Sequence, residues 1–240
     1  MHGIEQKAGT ARRGRRRAPL LAAMLCIPSL FGADGAHAQE SGQPEVRDLL
    51  ARAEATYDGL SSMRARFVQK IEITLLGRER TGSGDWYQKG RGRFKMDFSD
   101  PEGDLIVADG TTLWLYYPST HPGQVIRSTI DANATGAGMV DLQGRIFEEA
   151  AQAYDAVLEG RKDVAGHPTW LVSLTPRAES PYRKVRVWVD VESLLVRRFE
   201  ITEENETLRT VELYDLEPNA SIPDEVFSFT PPAGTDVFAG

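Results

Sequence analysis

From Ala65 the pattern of this chain turns over at every second residue. Ala65, Phe67, Gln69, Ile71, Ile73 and Leu75 fall on one side of an extended backbone, and Arg66, Lys70, Glu72 and Thr74 on the other, as in a strand with one face buried. Further runs follow at 78–89, 93–98, 104–108, 111–117 and 124–129, parted by the turn signals Gly90-Arg91-Gly92, Asp100-Pro101-Glu102-Gly103, Asp109-Gly110 and Pro118. Short runs at such regular spacing predict an antiparallel meander, and Asp109-Gly110 is its strongest hairpin signal. The pattern resumes at Thr169–Thr175, Lys184–Asp190, Leu195–Thr202 and Thr207–Leu216. Within the second of these, Val185, Val187 and Val189 alternate with Lys184, Arg186 and Trp188.

Two stretches carry the helical period instead. After Pro44, the residues Val46, Leu49, Leu50, Ala53 and Tyr57 make one apolar stripe, which Asp58-Gly59 closes with a glycine suited to a left-handed cap. Between 131 and 160 the small residues Asp131 to Gly138 lead into Leu142, Ile146, Phe147, Ala150, Tyr154, Val157 and Leu158, whose spacing predicts an amphipathic helix set in mid-sheet. A closed barrel would leave that helix nowhere to bury its stripe. The expected fold is therefore mainly β (α+β): an unclosed antiparallel half-barrel with an N-terminal helix and an inserted helical lid over its concave face.

Charge separates the first residues from the rest. Residues 1–38 hold Lys7, Arg12, Arg13, Arg15, Arg16 and Arg17 against Glu5 and Asp34, a balance of +4, and the remainder carries −11 of the total −7. The basic cluster, the apolar run Ala18 to Phe31 and Ala36-His37-Ala38 stand in the order of a cleaved secretory signal. We read 1–38 as signal peptide and 39–240 as one domain. Cys26, the single cysteine, lies inside the leader behind Leu25, where a lipidation signal would place a small residue. An exported chain of this kind has no thiol for disulfides, zinc or nucleophilic catalysis. Its acidic balance argues against nucleic acid as a partner.

Catalytic patterns are missing. His121 and His167 each precede a proline in a predicted turn and lack clustered partners. Glu203-Glu204-Asn205-Glu206 reads as a hairpin end and Glu148-Glu149 as a helix's polar face. No enzymatic activity, cofactor or metal is expected. Strand positions are instead rich in aromatics, and a sheet of this size has a concave face larger than one or two short helices can dry.

Four segments, in order, resemble the outer-membrane lipoprotein carrier family, LolA. They are Leu60-Ser61-Ser62-Met63-Arg64-Ala65-Arg66-Phe67-Val68-Gln69-Lys70, Gly84-Asp85-Trp86-Tyr87, Leu105 through Tyr116 with its Asp109-Gly110 turn, and Phe227-Ser228-Phe229-Thr230-Pro231-Pro232-Ala233-Gly234. The resemblance implies a periplasmic, monomeric carrier of acylated lipoproteins, loaded by an inner-membrane ABC-type release complex and unloaded to an outer-membrane acceptor. A lipid-binding or lipid-sensing periplasmic protein of the same fold is the alternative. Under the carrier reading, with inner and outer faces set by strand alternation, the ligand cavity is lined by Phe67, Ile71, Ile73, Trp86, Phe94, Met96, Phe98, Leu105, Val107 and Trp114, with Lys95 and Asp97 outside. Ile146, Phe147, Ala150 and Tyr154 form the underside of the lid. The family's Arg-Pro pair, which helps hold the lid, is replaced here by Lys89-Gly90-Arg91-Gly92-Arg93-Phe94, leaving Arg91 or Arg93 as the candidate latch.

Overall fold

The structure, a computed structural model, describes residues 44–90, 92–130, 146–147 and 150–240. The expected signal peptide, Arg91, residues 131–145 and Glu148-Glu149 lie outside the described residues. Helix α1 (Val46–Asp58) leads into β1 (Ser62–Ile73), β2 (Arg78–Lys89), β3 (Arg93–Asp100), β4 (Glu102–Asp109), β5 (Thr112–Tyr116) and β6 (Gln124–Thr129). A one-turn helix α2 (Ala150–Ala153) precedes β7 (Tyr154–Val164), β8 (His167–Pro176), β9 (Tyr182–Asp190), β10 (Val196–Glu203) and β11 (Thr207–Pro218), and the chain ends in β12 (Asp236–Ala239).

These strands make one twelve-stranded sheet in the order β12-β6-β5-β4-β3-β2-β1-β11-β10-β9-β8-β7. β12 and β7 are its two edges, so the sheet is unclosed. Two meanders run outward from the central β1–β11 pair, and every pairing is antiparallel except β12 on β6. The predicted hairpin is present: Gly110 takes a φ of +106°, and the Asp109 carboxylate accepts from the backbone N–H groups of Thr111 and Thr112, both at 2.8 Å.

Alternation decides which side each residue faces. In β1, Ala65 and Phe67 are buried while Arg64, Arg66 and Val68 are exposed; in β9, Val185, Val187 and Val189 are buried. α1 lays Leu49, Leu50, Ala53 and Tyr57 against these inward residues, forming one continuous core. Each leucine so buried stabilises the fold by about 1.5–3 kcal/mol relative to exposure. Tyr57 also accepts the Val196 N–H at 3.0 Å, which pins the helix to β10, and burial pushes its phenol upward. Gly59 ends the helix with a right-handed φ of −78°, not the expected left-handed one, and its N–H reaches the Ala55 carbonyl.

The inserted helix ends earlier than its spacing predicts. Within the described residues only Ala150–Ala153 is helical, and from Tyr154 the chain is extended and paired with β8. Tyr154 and Leu158 are four residues apart, a separation that suits both a 3.6-residue and a two-residue period. Pairing with β8 selects the second: Tyr154, Ala156 and Leu158 are half-buried and Asp155 and Val157 exposed.

Candidate functional site

The concave face is an apolar trough. Register places Ala65 opposite Trp86, Trp86 opposite Met96, and Met96 opposite Ile106, so strand alternation points a row of side chains from four neighbouring strands to the same side. Phe67, Phe94 and Phe98 join them, all 5 % exposed or less. Trp86 meets Phe94 edge-on at 4.4 Å and Phe199 at 6.1 Å, and Phe67 meets Phe98 at 4.9 Å. From the second meander, Val172, Leu174, Val187, Phe199, Val211 and Leu213 complete the surface.

The chain itself fills this trough. β6 lies beside one edge of the sheet and β7 forms the other, and the connection between Thr129 and Tyr154 joins them. Its described part goes through the concave side: Ile146, Phe147 and Ala150 are buried in the same core as α1 and the inner strand residues. Phe147 is fully buried and stacks on Tyr57 at 5.3 Å with 25° between the rings. Tyr154, expected under the same helix, stands instead on β7, where its hydroxyl meets that of Tyr182 at 2.7 Å; burial and that hydrogen bond push its phenol upward.

Seven of the expected lining residues are therefore placed on the concave side. Phe67, Trp86, Phe94, Met96 and Phe98 are buried there, and Ile71 and Ile73 follow by alternation toward the open end of β1, half-buried. Ile71, Gln69, Phe98, Asp104, Tyr117 and Arg209 surround a cavity of about 130 Å³ at that end. Leu105, Val107 and Trp114 are not part of the trough. Val107 is registered with Lys95 and Trp114, and Leu105 with Tyr116, on the convex face, while Ile106 and Ala108 point inward. Phe229 of the C-terminal segment lies against Trp114 and Tyr116 there, at 5.8 and 5.7 Å.

Arg93 does not reach the described part of the β6–β7 connection. Its neighbour Phe94 faces inward, so Arg93 faces outward, and its guanidinium pairs with Asp224 at 2.7 Å. Lys89 meets the same carboxylate at 2.6 Å and donates to the Ile222 carbonyl at 2.7 Å. Lys89 and then Arg93 hold the Asp224 carboxyl below the usual range. The two cations thus fasten the C-terminal segment.

The convex face of β7–β11 is ionic. Arg186 bridges Glu159 and Glu200, Arg198 bridges Glu200 and Glu212, and Trp188 lies between the two guanidinium groups at 5.1 and 4.7 Å. Donation to Glu212 pushes the Tyr214 phenol up to about 12. His121 and His167 are exposed, and among the described residues no group of three or more His, Cys, Asp or Glu could hold a metal ion. The trough residues missed by sequence reading, Tyr57, Phe199, Val172 and Val187, belong to α1 and the second meander. The alternation of the three strand residues was visible, but only the β1–β11 pairing places them across from Phe67 and Trp86, while Tyr57 reaches the core from α1.

A curved, unclosed sheet whose apolar hollow is occupied by a helix and by part of a connection of the same chain defines the class of open half-barrels. The family model described as outer membrane lipoprotein carrier protein LolA matches residues 58–230, and the chain belongs to that family. An outer-membrane lipoprotein carrier protein of Leptothrix cholodnii is 28% identical over 95% of this chain and 98% of its own length. One from Chromobacterium violaceum is 25% identical over 82% and 90%. Among solved structures, an uncharacterized conserved protein from Thermus thermophilus shares the fold at a TM-score of 0.51 with 14% identity, over 81% of this chain and 98% of that one.

Proposed function

We propose that this chain is a periplasmic carrier that takes up the acyl chains of lipoproteins leaving the inner membrane and delivers them to an outer-membrane acceptor. The observation that carries this reading is the apolar trough with Ile146 and Phe147 buried in it. Each CH2 taken from water into such a surface is worth about 0.8 kcal/mol, so an acyl chain gains several kcal/mol by entering. It has to displace the side chains already there. Net affinity is the difference between two occupants of one surface, which keeps binding moderate and lets a tighter downstream acceptor unload the carrier.

Loading by an ABC-type release complex follows from the same reading, since acyl chains leave a bilayer only with help. The carrier acts as a monomer without cofactor or catalytic step. The test is to incubate the mature protein with inner-membrane vesicles holding an acylated lipoprotein and its transporter. Lipoprotein should appear in the soluble fraction as a complex with this chain, and only with nucleotide present. Lipoprotein that stays in the membrane, with free phospholipid co-purifying instead, would overturn the carrier reading in favour of a lipid-binding or lipid-sensing role.

A further inference from the structure

Trp86 stands in the middle of the trough, 1 % exposed, and its indole Nε1 has no hydrogen-bond partner among the described residues. Its registered neighbours, Ala65 and Met96, and the rings packed edge-on against it, Phe94 and Phe199, carry no oxygen or nitrogen on their side chains. An indole N–H can only donate, and when buried it ordinarily finds an acceptor. A donor left unmet in an apolar hollow is a standing penalty that a phenylalanine at the same position would avoid.

An acyl chain has the complementary problem. Its hydrocarbon is satisfied by the trough lining, but every ester-linked or amide-linked chain carries a carbonyl oxygen at its head, and that oxygen also loses water on entry. We propose that the Trp86 N–H donates to the head carbonyl of an acyl chain bound in the trough, making Trp86 the group that selects acyl over alkyl chains. This rests on the carrier reading and adds to it a chemical preference within the same site. The donor reads a carbonyl and not a headgroup, so a lipopeptide and a diacyl phospholipid present the same chemistry to it.

The test compares a dipalmitoyl-cysteinyl peptide with its dihexadecyl ether analogue, and a dipalmitoyl phospholipid with its own ether analogue, on the native protein and on Trp86→Phe. The native protein should bind each ester about five- to tenfold more tightly than its ether, the range that one net hydrogen bond supplies. Trp86→Phe should bind ester and ether alike, with a melting temperature equal to or above that of the native protein. On the native protein, the Trp86 indole proton should move downfield with the ester peptide and not with the ether, a readout that stands whatever the variant does to folding. An ester preference for the peptide alone would confine the role of the donor to lipoprotein; a preference for both would extend it to acyl lipids generally.

Equal binding of ester and ether by the native protein overturns the inference and leaves the carrier reading intact. A variant that loses stability while the ester preference persists also overturns it, and assigns the N–H to a neighbouring aromatic face. Failure of the native protein to bind either peptide overturns the carrier reading as well.

Discussion

Asp190 organises the β9–β10 turn from a nearly buried position, its side chain 6% exposed. One oxygen accepts the N–H groups of Glu192 and Ser193, each at 2.9 Å, and the other accepts Arg197 Nε at 2.9 Å. Burial by itself would raise this carboxyl, but the two backbone donors and Arg197 outweigh it and hold the group below the ordinary carboxylate value. A depressed carboxyl contributes stability that is full above its unfolded value near 3.9 and is lost as pH falls through the lower folded value. Asp190→Asn keeps an acceptor for the turn and strands Arg197, so it should cost about 1–3 kcal/mol at pH 7. Urea unfolding at pH 7 and at pH 3 checks this: the gap between native and variant protein should narrow at the lower pH, and a gap that stays constant would assign the effect to the turn and not to the charge.

At the level of elements, strands were readable wherever one face is buried and the other wet. β1 and β9 announce themselves because Phe67 and Val187 alternate with Arg66 and Arg186. Leu105-Ile106-Val107-Ala108 does not alternate, and the structure shows why: both faces of β4 are covered, the inner by the core and the outer by neighbours of the C-terminal segment. A run apolar on both sides carries no sign of which face is inward, and so Leu105 and Val107 were expected in the trough. Gly84 was likewise legible only as part of a motif; its role is spatial, since a Cβ there would run into the Asp97 carbonyl of β3. Phe147→Ala should lower the stability of the empty protein by about 3–5 kcal/mol, as for other buried aromatics cut to alanine. Bound acyl chains would refill the space, so the rise in melting temperature on adding a palmitoylated peptide should be larger for Phe147→Ala than for the native protein. Equal rises in melting scans would place Phe147 in permanent core, outside the ligand's path.

For the molecule as a whole, the two meanders meet along a single seam. β1 and β11 pair from Met63 opposite Pro218 to Ile73 opposite Thr207, joining residues far apart in sequence. No run of local sequence announces such a pairing, which is why the curved sheet could be expected from strand count while its strand order could not. The C-terminal segment supplies a second tie: Asp224 meets Lys89 and Arg93, Phe229 covers Trp114 and Tyr116, and β12 pairs with β6 on the other meander. Seam and tail together should hold the halves without a covalent link through the β6–β7 connection. Separately produced chains 39–140 and 141–240 should therefore associate one to one and regain the far-UV signature of the intact protein. Ending the second chain at Pro218 keeps the β1–β11 seam and removes the tail contacts, and association should weaken at least about tenfold, since a handful of buried contacts and charge-assisted bonds is worth about 1.4 kcal/mol or more. Size-exclusion chromatography and titration calorimetry read both results. Halves that never associate would mean that the β6–β7 connection, and not the seam, holds the half-barrel together, and that a segment so essential to the fold could not also yield its place to a ligand.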